Sequence, residues 1–382
     1  MNATLPALTS WLTETAWPLW RDHGVDRARG GFHEALSPET LACPADFRRL
    51  RVVTRQVYVF SQAAAHGLPG ATELVEMGID FLSRKAKQPD NGYAWRFSLD
   101  GEVIDNRRDL YDHAFVLLAL SSAARVLPAE PLKAEALALI AWLDRHMPHP
   151  DGGYVEALPI TDEPRRQNPH MHLLEACLTA WEIFAEPVFL LRASSLVTLF
   201  LNRLFQPESG TLPEFFTDEL TPVSIPGGHH VEPGHHMEWI WLLDWFGRCL
   251  TSIGRPHPVR LGPATWALQR FVDRFGISPT HGALMDELAA DGRIIAAGAR
   301  LWPQTERLKA EAIRRPTVPH GLPQALTMLA PYFDHPTPGL WHERRGADGA
   351  FLPGPVPASS LYHLTCALLF AGSPLPPGAK KA

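Results

Sequence analysis

A loop motif that returns about every sixty residues constrains this chain more than any other feature. Two clear copies are Gly30-Gly31-Phe32-His33-Glu34 and Gly152-Gly153-Tyr154-Val155-Glu156. Several copies lead into a second turn, as at Asp100-Gly101, which is typical of a short β-hairpin. A fixed internal period indicates one supersecondary unit that is repeated along the chain. The second-position glycines are residues 31, 92, 153, 210, 282 and 339, with spacings of 61, 61, 57, 72 and 57.

Between these loops the apolar pattern is helical. An amphipathic run precedes each glycine, and a more apolar run begins roughly twenty residues after it. Twelve helices in six hairpins form a ring with the more apolar helices inside, so we predict an all-α (α/α)6 barrel with short β-hairpin loops. An open α-solenoid uses the same unit, but six hairpins favour closure. The amphipathic runs are 7–22, 71–86, 132–146, 188–205, 264–275 and 321–333, and the more apolar runs are 51–65, 112–126, 170–184, 236–250, 302–313 and 359–371.

The bulk properties exclude several classes of protein. The 382 residues carry a formal net charge of −6, which argues against a nucleic-acid partner. The sequence has neither a signal-peptide pattern nor about 18 uninterrupted apolar residues, so we expect no membrane partner and a soluble cytoplasmic protein. The four cysteines form no Cys-x-x-Cys pair, which speaks against a zinc ribbon or a disulfide framework. No break in composition demands a second domain, so we expect residues 1–382 to form a single catalytic domain.

Each of the more apolar helices carries a polar or aromatic residue near its start. Core packing gives no reason for six such residues, so we predict that they converge on a pocket at one mouth of the barrel. Tyr111 and Asp112 open the second of these helices, and Asp112 has a helix N-cap as its alternative role. His170 and His172 are two apart, so only one of them is expected to point inward. The polar or aromatic residues near the starts of the six more apolar helices are Arg55, His113, His172, His235, Trp302 and His363, with spacings of 58, 59, 63, 67 and 61.

The fourth apolar helix begins at the turn Pro233-Gly234 and is apolar on nearly every side, which is typical of a buried helix. His235 and Glu238 are three apart and share one face of its first turn. A carboxylate can orient an imidazole and raise its basicity, so the pair suits general acid/base catalysis; a core histidine with a capping glutamate is the alternative. The local histidine cluster lacks any standard zinc spacing, so we predict no metal site.

Four of these motifs together resemble the N-acylglucosamine 2-epimerase family, and the resemblance runs through nearly the whole chain. The resemblance implies that His235 and His363 are the catalytic histidines. It also implies substrate-binding or supporting roles for Arg55, His172, Glu238 and Trp302, and we expect Tyr111, Asp112 and Glu306 to contact substrate as well. The motifs are Asn168-Pro169-His170-Met171-His172-Leu173-Leu174-Glu175-Ala176, Glu232-Pro233-Gly234-His235-His236-Met237-Glu238-Trp239, Arg300-Leu301-Trp302-Pro303-Gln304-Thr305-Glu306 and Tyr362-His363.

The resemblance implies chemistry without a metal or nicotinamide cofactor, in which the sugar ring opens, a proton leaves C2 and a cis-enediolate forms. We therefore predict a cofactor-independent aldose–ketose isomerase of a monosaccharide, with D-mannose to D-fructose first. In this prediction Glu238 positions His235. A sugar 2-epimerase acting on mannose/glucose, cellobiose or an N-acylglucosamine is the runner-up. A glycoside hydrolase, a non-catalytic sugar-binding protein and a phosphosugar substrate stay open, and the chain is compatible with a monomer or a homodimer.

Overall fold

The computed structural model describes residues 4–373, so the ends of the predicted single domain, 1–3 and 374–382, lie outside it. The helices are numbered in chain order. Their bounds are α1 (Leu5–Trp11), α2 (Trp17–His23), α3 (Leu50–Ala65), α4 (Ala71–Phe81), α5 (Leu110–Ala123), α6 (Ala129–His146), α7 (Gln167–Phe184), α8 (Pro187–Leu199), α9 (Pro233–Ser252), α10 (Leu261–Phe271), α11 (Leu301–Arg314), α12 (Gly321–Leu329) and α13 (Ala358–Gly372).

Six of these helices form an inner ring, and their residues are almost entirely buried. They are α3, α5, α7, α9, α11 and α13, and each packs against its neighbours in that order. The last inner helix, α13, packs against the first, α3, so the ring is closed. The bounds agree with the six predicted apolar runs to within a few residues. The predicted closed barrel, rather than an open solenoid, is therefore what the chain forms.

The other helices form the outer ring. A π-helical turn, Leu12–Ala16, joins α1 and α2 into one outer helix. Three further outer helices, α4, α8 and α10, end in such a turn just before the loop glycine of their repeat. One outer segment, Pro187–Leu204, is long and apolar enough to cross a membrane by composition, and half of it is buried here. It packs against α7, as the amphipathic pattern predicted.

Short antiparallel sheets join the loops at one end of the barrel. Each of the six sheets connects two consecutive repeats, and the pairing of Ala35 with Pro357 connects the last repeat to the first. The loops therefore close a second ring above the starts of the inner helices. The strands are β1 (Ala35–Leu36), β2 (Phe47–Arg49), β3 (Arg96–Ser98), β4 (Val103–Asp105), β5 (Arg108–Asp109), β6 (Ala157–Leu158), β7 (Arg165–Arg166), β8 (Phe215–Phe216), β9 (Ser224–Ile225), β10 (Gly228–Val231), β11 (Glu287–Ala289), β12 (Ile294–Ala296), β13 (Ala299–Arg300), β14 (Arg344–Arg345) and β15 (Val356–Pro357).

The cysteines behave as the apolar pattern predicted. Cys177, Cys249 and Cys366 are buried free thiols on inner helices, and Cys43 is a half-buried free thiol in the first loop. None of the four forms a disulfide, so hydrophobic burial and hydrogen bonds stabilise the ring. Its largest fully buried side chains include Trp17, Trp20, Trp239, Trp241 and Trp341. Most of the twelve tryptophans therefore belong to packing between helices rather than to a binding surface.

Candidate active site

The residues predicted to form a pocket lie at the starts of the inner helices, beneath the ring of loops. Arg55, His172 and His363 are each the sixth residue of their helix, whereas His235 is the third residue of α9 and Trp302 the second of α11. The indole of Trp302 lies 4.8 Å from the His235 ring and 5.9 Å from the His363 ring, centroid to centroid. The fold thus brings two histidines, 128 residues apart in the chain, against one aromatic surface.

The carboxylate that orients His235 is Glu214, so the prediction that Glu238 positions this imidazole is wrong. Nδ1 of His235 lies 2.9 Å from Oε2 of Glu214, which comes from the loop of the fourth repeat. Gln167 donates to the same oxygen at 3.0 Å and the backbone N–H of Glu232 donates to the other oxygen at 3.3 Å. Glu238 follows His235 on the same helix, but its side chain approaches His172 on α7 instead. Spacing along the helix indicated a shared face, but not which neighbour each side chain meets.

Two negative charges surround His235. Burial alone would lower the pKa of its imidazole, but the carboxylates of Glu214 and Glu232 reverse this and raise the pKa to about 9. Burial likewise opposes ionisation of Glu214, yet the charge and hydrogen bond of His235 hold the pKa of Glu214 below its usual value. His235 is therefore an imidazolium at neutral pH, with Nδ1–H donated to Glu214 and Nε2–H left to donate.

His363 forms a similar contact with a different charge balance. Its Nδ1 lies 3.0 Å from Oε1 of Glu306. The other oxygen of Glu306 accepts from Nζ of Lys309 at 2.7 Å and from Nε1 of Trp241 at 2.9 Å. Glu306 is fully buried and both of its oxygens are occupied. It was predicted to contact substrate, but the structure places it behind His363, because the direction of its side chain depends on packing among three helices.

Burial and two nearby cations keep the imidazole of His363 neutral. Burial lowers the pKa of His363 to about 4, and the hydrogen bond to Glu306 opposes this only in part, while the cations Arg55 and Lys309 lower it further. Burial would raise the pKa of Glu306, but Lys309 and His363 hold it near 2. An ionised carboxylate can only accept, so Nδ1–H of the neutral ring donates to Glu306. This leaves the Nε2 lone pair free to accept a proton.

His172, rather than His170, faces the centre of the barrel. Its Nδ1 lies 3.2 Å from Oε2 of Glu175 and 3.7 Å from Oε1 of Glu238, and Glu175 also accepts from the hydroxyl of Tyr362. Both carboxylate oxygens of Glu238 are buried, and neither has a hydrogen-bond partner within residues 4–373. Burial and the nearby charge of Glu306 raise the pKa of Glu238 well above its usual value. Glu238 therefore holds its proton more tightly than an ordinary glutamate, and its carboxyl group has hydrogen-bonding capacity to spare.

Arg55 is the cation of the site. Its guanidinium donates to the hydroxyl of Tyr111 at 2.6 Å and lies 4.3 Å from the ring centre of Phe115. No ion pair of Arg55 is formed in the described part of the chain, so its charge is available to an anion. Asp112 was predicted to contact substrate or cap a helix and does neither: it is fully buried and pairs with Arg51 at 2.7 Å. The N-cap of α5 is Asp109, whose side chain accepts from the N–H of Asp112.

His113 is a core histidine that supports the loops and does not line the pocket. His113 is one of four residues on successive inner helices that each accept a hydrogen bond from a loop N–H. The loops pack so tightly on these side chains that a Cβ on Gly153 would lie 2.5 Å from Nε2 of His170. These residues hold the loop ring in place above the site. The four contacts are His113 with Tyr93 (3.0 Å), His170 with Tyr154 (3.0 Å), His236 with Leu212 (3.0 Å) and Gln304 with Leu284 (2.8 Å).

Two groups at the site have ligand types that suit a divalent cation. They are His172 with Glu175 and Glu238, and His235 with Glu214 and Glu232, each with ligand atoms within 4.8 Å of one another. In each group the histidine Nδ1 already bonds to a carboxylate of the same group, and His235 is protonated at neutral pH. A metal would have to displace these hydrogen bonds and, at His235, a proton. The donor sets therefore fit acid/base chemistry better than metal ligation.

Comparisons with known proteins agree across the whole chain. Residues 30–367 match the N-acylglucosamine 2-epimerase family. The chain is 35% identical over 380 residues to a mannose-6-phosphate isomerase of Rhizobium meliloti (strain 1021), covering 94% of this chain and 95% of that protein. It is 27% identical over 339 residues to a D-mannose isomerase of Thermobifida fusca, covering 80% of each.

The fold is shared with solved structures of the same kind. A crystal structure of D-mannose isomerase superposes with a TM-score of 0.86 at 20% identity, covering 97% of this chain and 98% of that one. The cellobiose 2-epimerase of Spirochaeta thermophila DSM 6192 gives a TM-score of 0.83 at 23% identity, covering 96% and 95%. These matches confirm the predicted (α/α)6 barrel. The match over residues 30–367 and the relative of 35% identity show that the chain belongs to the N-acylglucosamine 2-epimerase family.

Proposed function

We propose that this protein is a cofactor-independent aldose–ketose isomerase that converts D-mannose to D-fructose. The observation that carries the proposal is the pair of histidines on the Trp302 indole. At neutral pH His363 presents a free Nε2 lone pair, whereas His235 presents an Nε2 proton. A reaction that moves a proton from C2 to C1 needs a base at carbon and an acid at oxygen, and this pair supplies both.

Ring opening is assigned to His235. It donates its Nε2 proton to the ring oxygen as the C1–O5 bond breaks, and it then takes the proton of the C1 hydroxyl as the aldehyde forms. His235 ends this step protonated, as it began. Its hydrogen bond to Glu214 keeps Nε2 directed at the sugar and stabilises the charged ring.

Isomerisation uses both histidines. His363 removes the C2 proton, the electron pair moves into a C1–C2 double bond, and the carbonyl oxygen at C1 takes a proton from His235. Neutral His235 then accepts the proton of the C2 hydroxyl while protonated His363 returns its proton to C1. The product is the ketose, and both imidazoles recover their starting charge.

The groups between the histidines stabilise the intermediate. Arg55 offers a guanidinium without a carboxylate partner to the C1 oxygen, on which negative charge develops before His235 protonates it, an electrostatic role in a site shielded from water. Glu238 has two free oxygens and, when protonated, can donate to one sugar hydroxyl and accept from another. Tyr111, His172 and Trp302 complete the walls and orient the sugar.

The named relatives support a sugar isomerase or epimerase, and they differ in phosphorylation. The R. meliloti relative is named a mannose-6-phosphate isomerase and the T. fusca relative a D-mannose isomerase. The arginines near the loops are already engaged: Arg300 pairs with Glu232 and Asp286, and Arg166 pairs with Glu156. A phosphate would have to compete with these carboxylates, so we favour the unmodified sugar.

A 2-epimerase is the second candidate, and a specific observation favours it. Epimerisation needs an acid that can return a proton to C2 on the face opposite to the base. Protonated His235 and neutral His363 both border Trp302, so His235 can serve that purpose. Hydrolysis of glycosides is less well supported, because it needs two available carboxyl groups. Glu175, Glu214 and Glu306 are all occupied by hydrogen bonds.

The test is incubation with D-mannose, D-glucose, D-mannose 6-phosphate and cellobiose in D2O, followed by NMR. Formation of fructose from mannose with deuterium at C1 supports the isomerase. Formation of glucose with deuterium at C2 supports the epimerase, and turnover of the phosphorylated sugar alone corrects the substrate. If none of the sugars reacts or exchanges hydrogen at C2, the proton-transfer proposal is wrong.

A further inference from the structure

One buried cation in this barrel has no part in the proton transfers proposed above. Lys309 lies on α11, one turn after Glu306, and is completely buried. Its Nζ contacts Oε2 of Glu306 at 2.7 Å and lies 3.9 Å from the ring centre of Trp241 and 3.6 Å from Sγ of Cys366. A lysine is almost never fully buried unless it is paired, so this ammonium needs an explanation.

The two histidine–carboxylate pairs provide that explanation. Both histidines bond to a glutamate through Nδ1, at 2.9 Å for His235 and 3.0 Å for His363. Within residues 4–373, Glu214 has hydrogen-bond donors but no lysine or arginine within ion-pair distance, so its negative charge acts on His235. The charge of Glu306 is instead shared with Lys309. The ammonium of Lys309 is therefore one difference between the two pairs, beside the second carboxylate, Glu232, at His235 and the guanidinium of Arg55 near His363.

We propose that Lys309 is a positioning residue that neutralises Glu306 and thereby keeps His363 an unprotonated base. The inference rests on the proposed function, in which His363 takes the C2 proton. Without Lys309, the charge of Glu306 would act more strongly on His363, and the imidazole would hold its proton to a higher pH. The hydrogen bond from Lys309 also keeps Oε1 of Glu306 turned towards His363, so the orientation of the ring and its charge are set by the same residue.

Other charged groups face this region and do not replace Lys309. Arg55 of α3 approaches His363 from the sugar side and also disfavours a second positive charge there. Glu238 of α9 and Glu175 of α7 are the remaining carboxyl groups near Lys309. Burial raises the pKa of Glu238 well above its usual value, and Glu175 is bonded to His172 and Tyr362. Tyr362 and Cys366 are the titratable groups on α13 itself, and burial raises the pKa of both, so they stay neutral.

The experiment follows the imidazole directly. The full-length protein is labelled with ¹³C-histidine, the His363 signal is assigned with a His363→Gln sample, and its titration is compared between wild type and Lys309→Met. We expect the titration midpoint of His363 to rise by about 1 pH unit in Lys309→Met, because one nearby positive charge that disfavours the imidazolium is lost. Lys309→Arg should restore a low midpoint, and Lys85→Met, at an exposed lysine, should change nothing.

Removal of a buried charge can prevent folding. Lys309→Gln is therefore the second variant, because its amide can still donate to Glu306 while the charge is lost. Glu306→Gln combined with Lys309→Met removes both charges and should return the midpoint to the acid range. If a folded Lys309→Met or Lys309→Gln protein titrates at His363 as the wild type does, the proposal is wrong.

Activity provides the second readout. A merely structural lysine would lower turnover at every pH, whereas the loss of a charge should move the acid limb of kcat/KM upwards by the same amount as the NMR midpoint. The effect should accordingly be larger at pH 5 than at pH 8. The two proposals fail in different ways. If the His363 titration shifts in Lys309→Met but the protein never exchanges the C2 hydrogen of a sugar, the role of Lys309 stands and the isomerase proposal is wrong.

Discussion

The His235–Glu214 pair and the His363–Glu306–Lys309 group are built from the same parts and reach opposite charge states. Both rings are buried and both bond to a carboxylate through Nδ1. The pKa of His235 is raised to about 9, because Glu214 and a second carboxylate outweigh burial, whereas burial and two cations leave that of His363 at about 4. Desolvation therefore does not decide the protonation state of a buried histidine by itself. The carboxylates and cations that surround the ring decide it together with burial.

The test with the largest expected effect removes the proposed base, His363. His363→Ala should lower kcat by about 10² to 10⁴, the usual contribution of a positioned general acid/base, and should abolish exchange of the C2 hydrogen with solvent. Turnover of mannose in D2O, followed by NMR, measures both. The exposed His23→Ala is the control, and circular dichroism checks the fold. If folded His363→Ala turns over normally while His235→Ala is inactive, the two histidines exchange roles.

A second test changes the pKa of the proposed acid, His235, through its partner Glu214. Glu214→Gln keeps an acceptor for His235 but removes the charge, so the pKa of His235 should fall from about 9 towards the range of an ordinary histidine. At pH 8 we expect kcat/KM to drop by about tenfold, with little change at pH 6. Glu232→Gln, which leaves the direct hydrogen bond intact, should have a smaller effect. An equal loss at both pH values would mean that Glu214 acts only through structure.

The wild-type pH profile should contain both limbs. His363 must be unprotonated to act, so kcat/KM should fall as the pH drops through about 4. His235 must be protonated, so kcat/KM should also fall as the pH rises through about 9. Between these two pH values we expect a broad plateau of kcat/KM. Circular dichroism at each acidic pH must show that the protein is still folded. A single transition near 6.5 would contradict the opposite charge states of the two rings.

The shared indole should contribute binding more than chemistry. Trp302→Ala should raise KM by about three- to tenfold, the expected loss of one aromatic stacking surface, with a smaller change in kcat. Steady-state kinetics with D-mannose measure the split. Trp266→Ala, at an indole that is 62% exposed, is the matched control. A change in kcat alone would assign Trp302 to the orientation of the histidines rather than to the sugar.

Chelation should have the smallest effect. The two groups with suitable ligand types are held together by their own hydrogen bonds, so we expect exhaustive EDTA treatment to leave turnover unchanged. Loss of activity that one divalent metal restores would show that a metal acts at the site and would contradict the protonated state of His235. His235 could not remain protonated while it serves as a metal ligand.

Most of the fold could be predicted from the sequence, because its signals are local. Loop glycines at a period near sixty residues and the two kinds of helical run predict twelve helices, and six hairpins of broadly similar length close into a ring. The histidines that we propose as catalytic could also be singled out, since His235 and His363 lie in motifs that resemble one family. Glu214 was missed, although the loops contain a signal. A carboxylate follows the loop glycine by three or four residues in five repeats, at Glu34, Glu156, Glu214, Asp286 and Glu343.

The partners of each side chain were decided by the tertiary structure alone. Glu238 is three residues from His235 yet meets His172, while Glu214, 21 residues away, bonds to His235. The sequence determined that the histidines lie at the starts of inner helices, because helical periodicity depends on nearby residues. Their charge states depend on carboxylates and a lysine brought in by other helices and loops. Electrostatic energy in a buried site varies steeply over a few ångströms, and only the packed ring sets those distances.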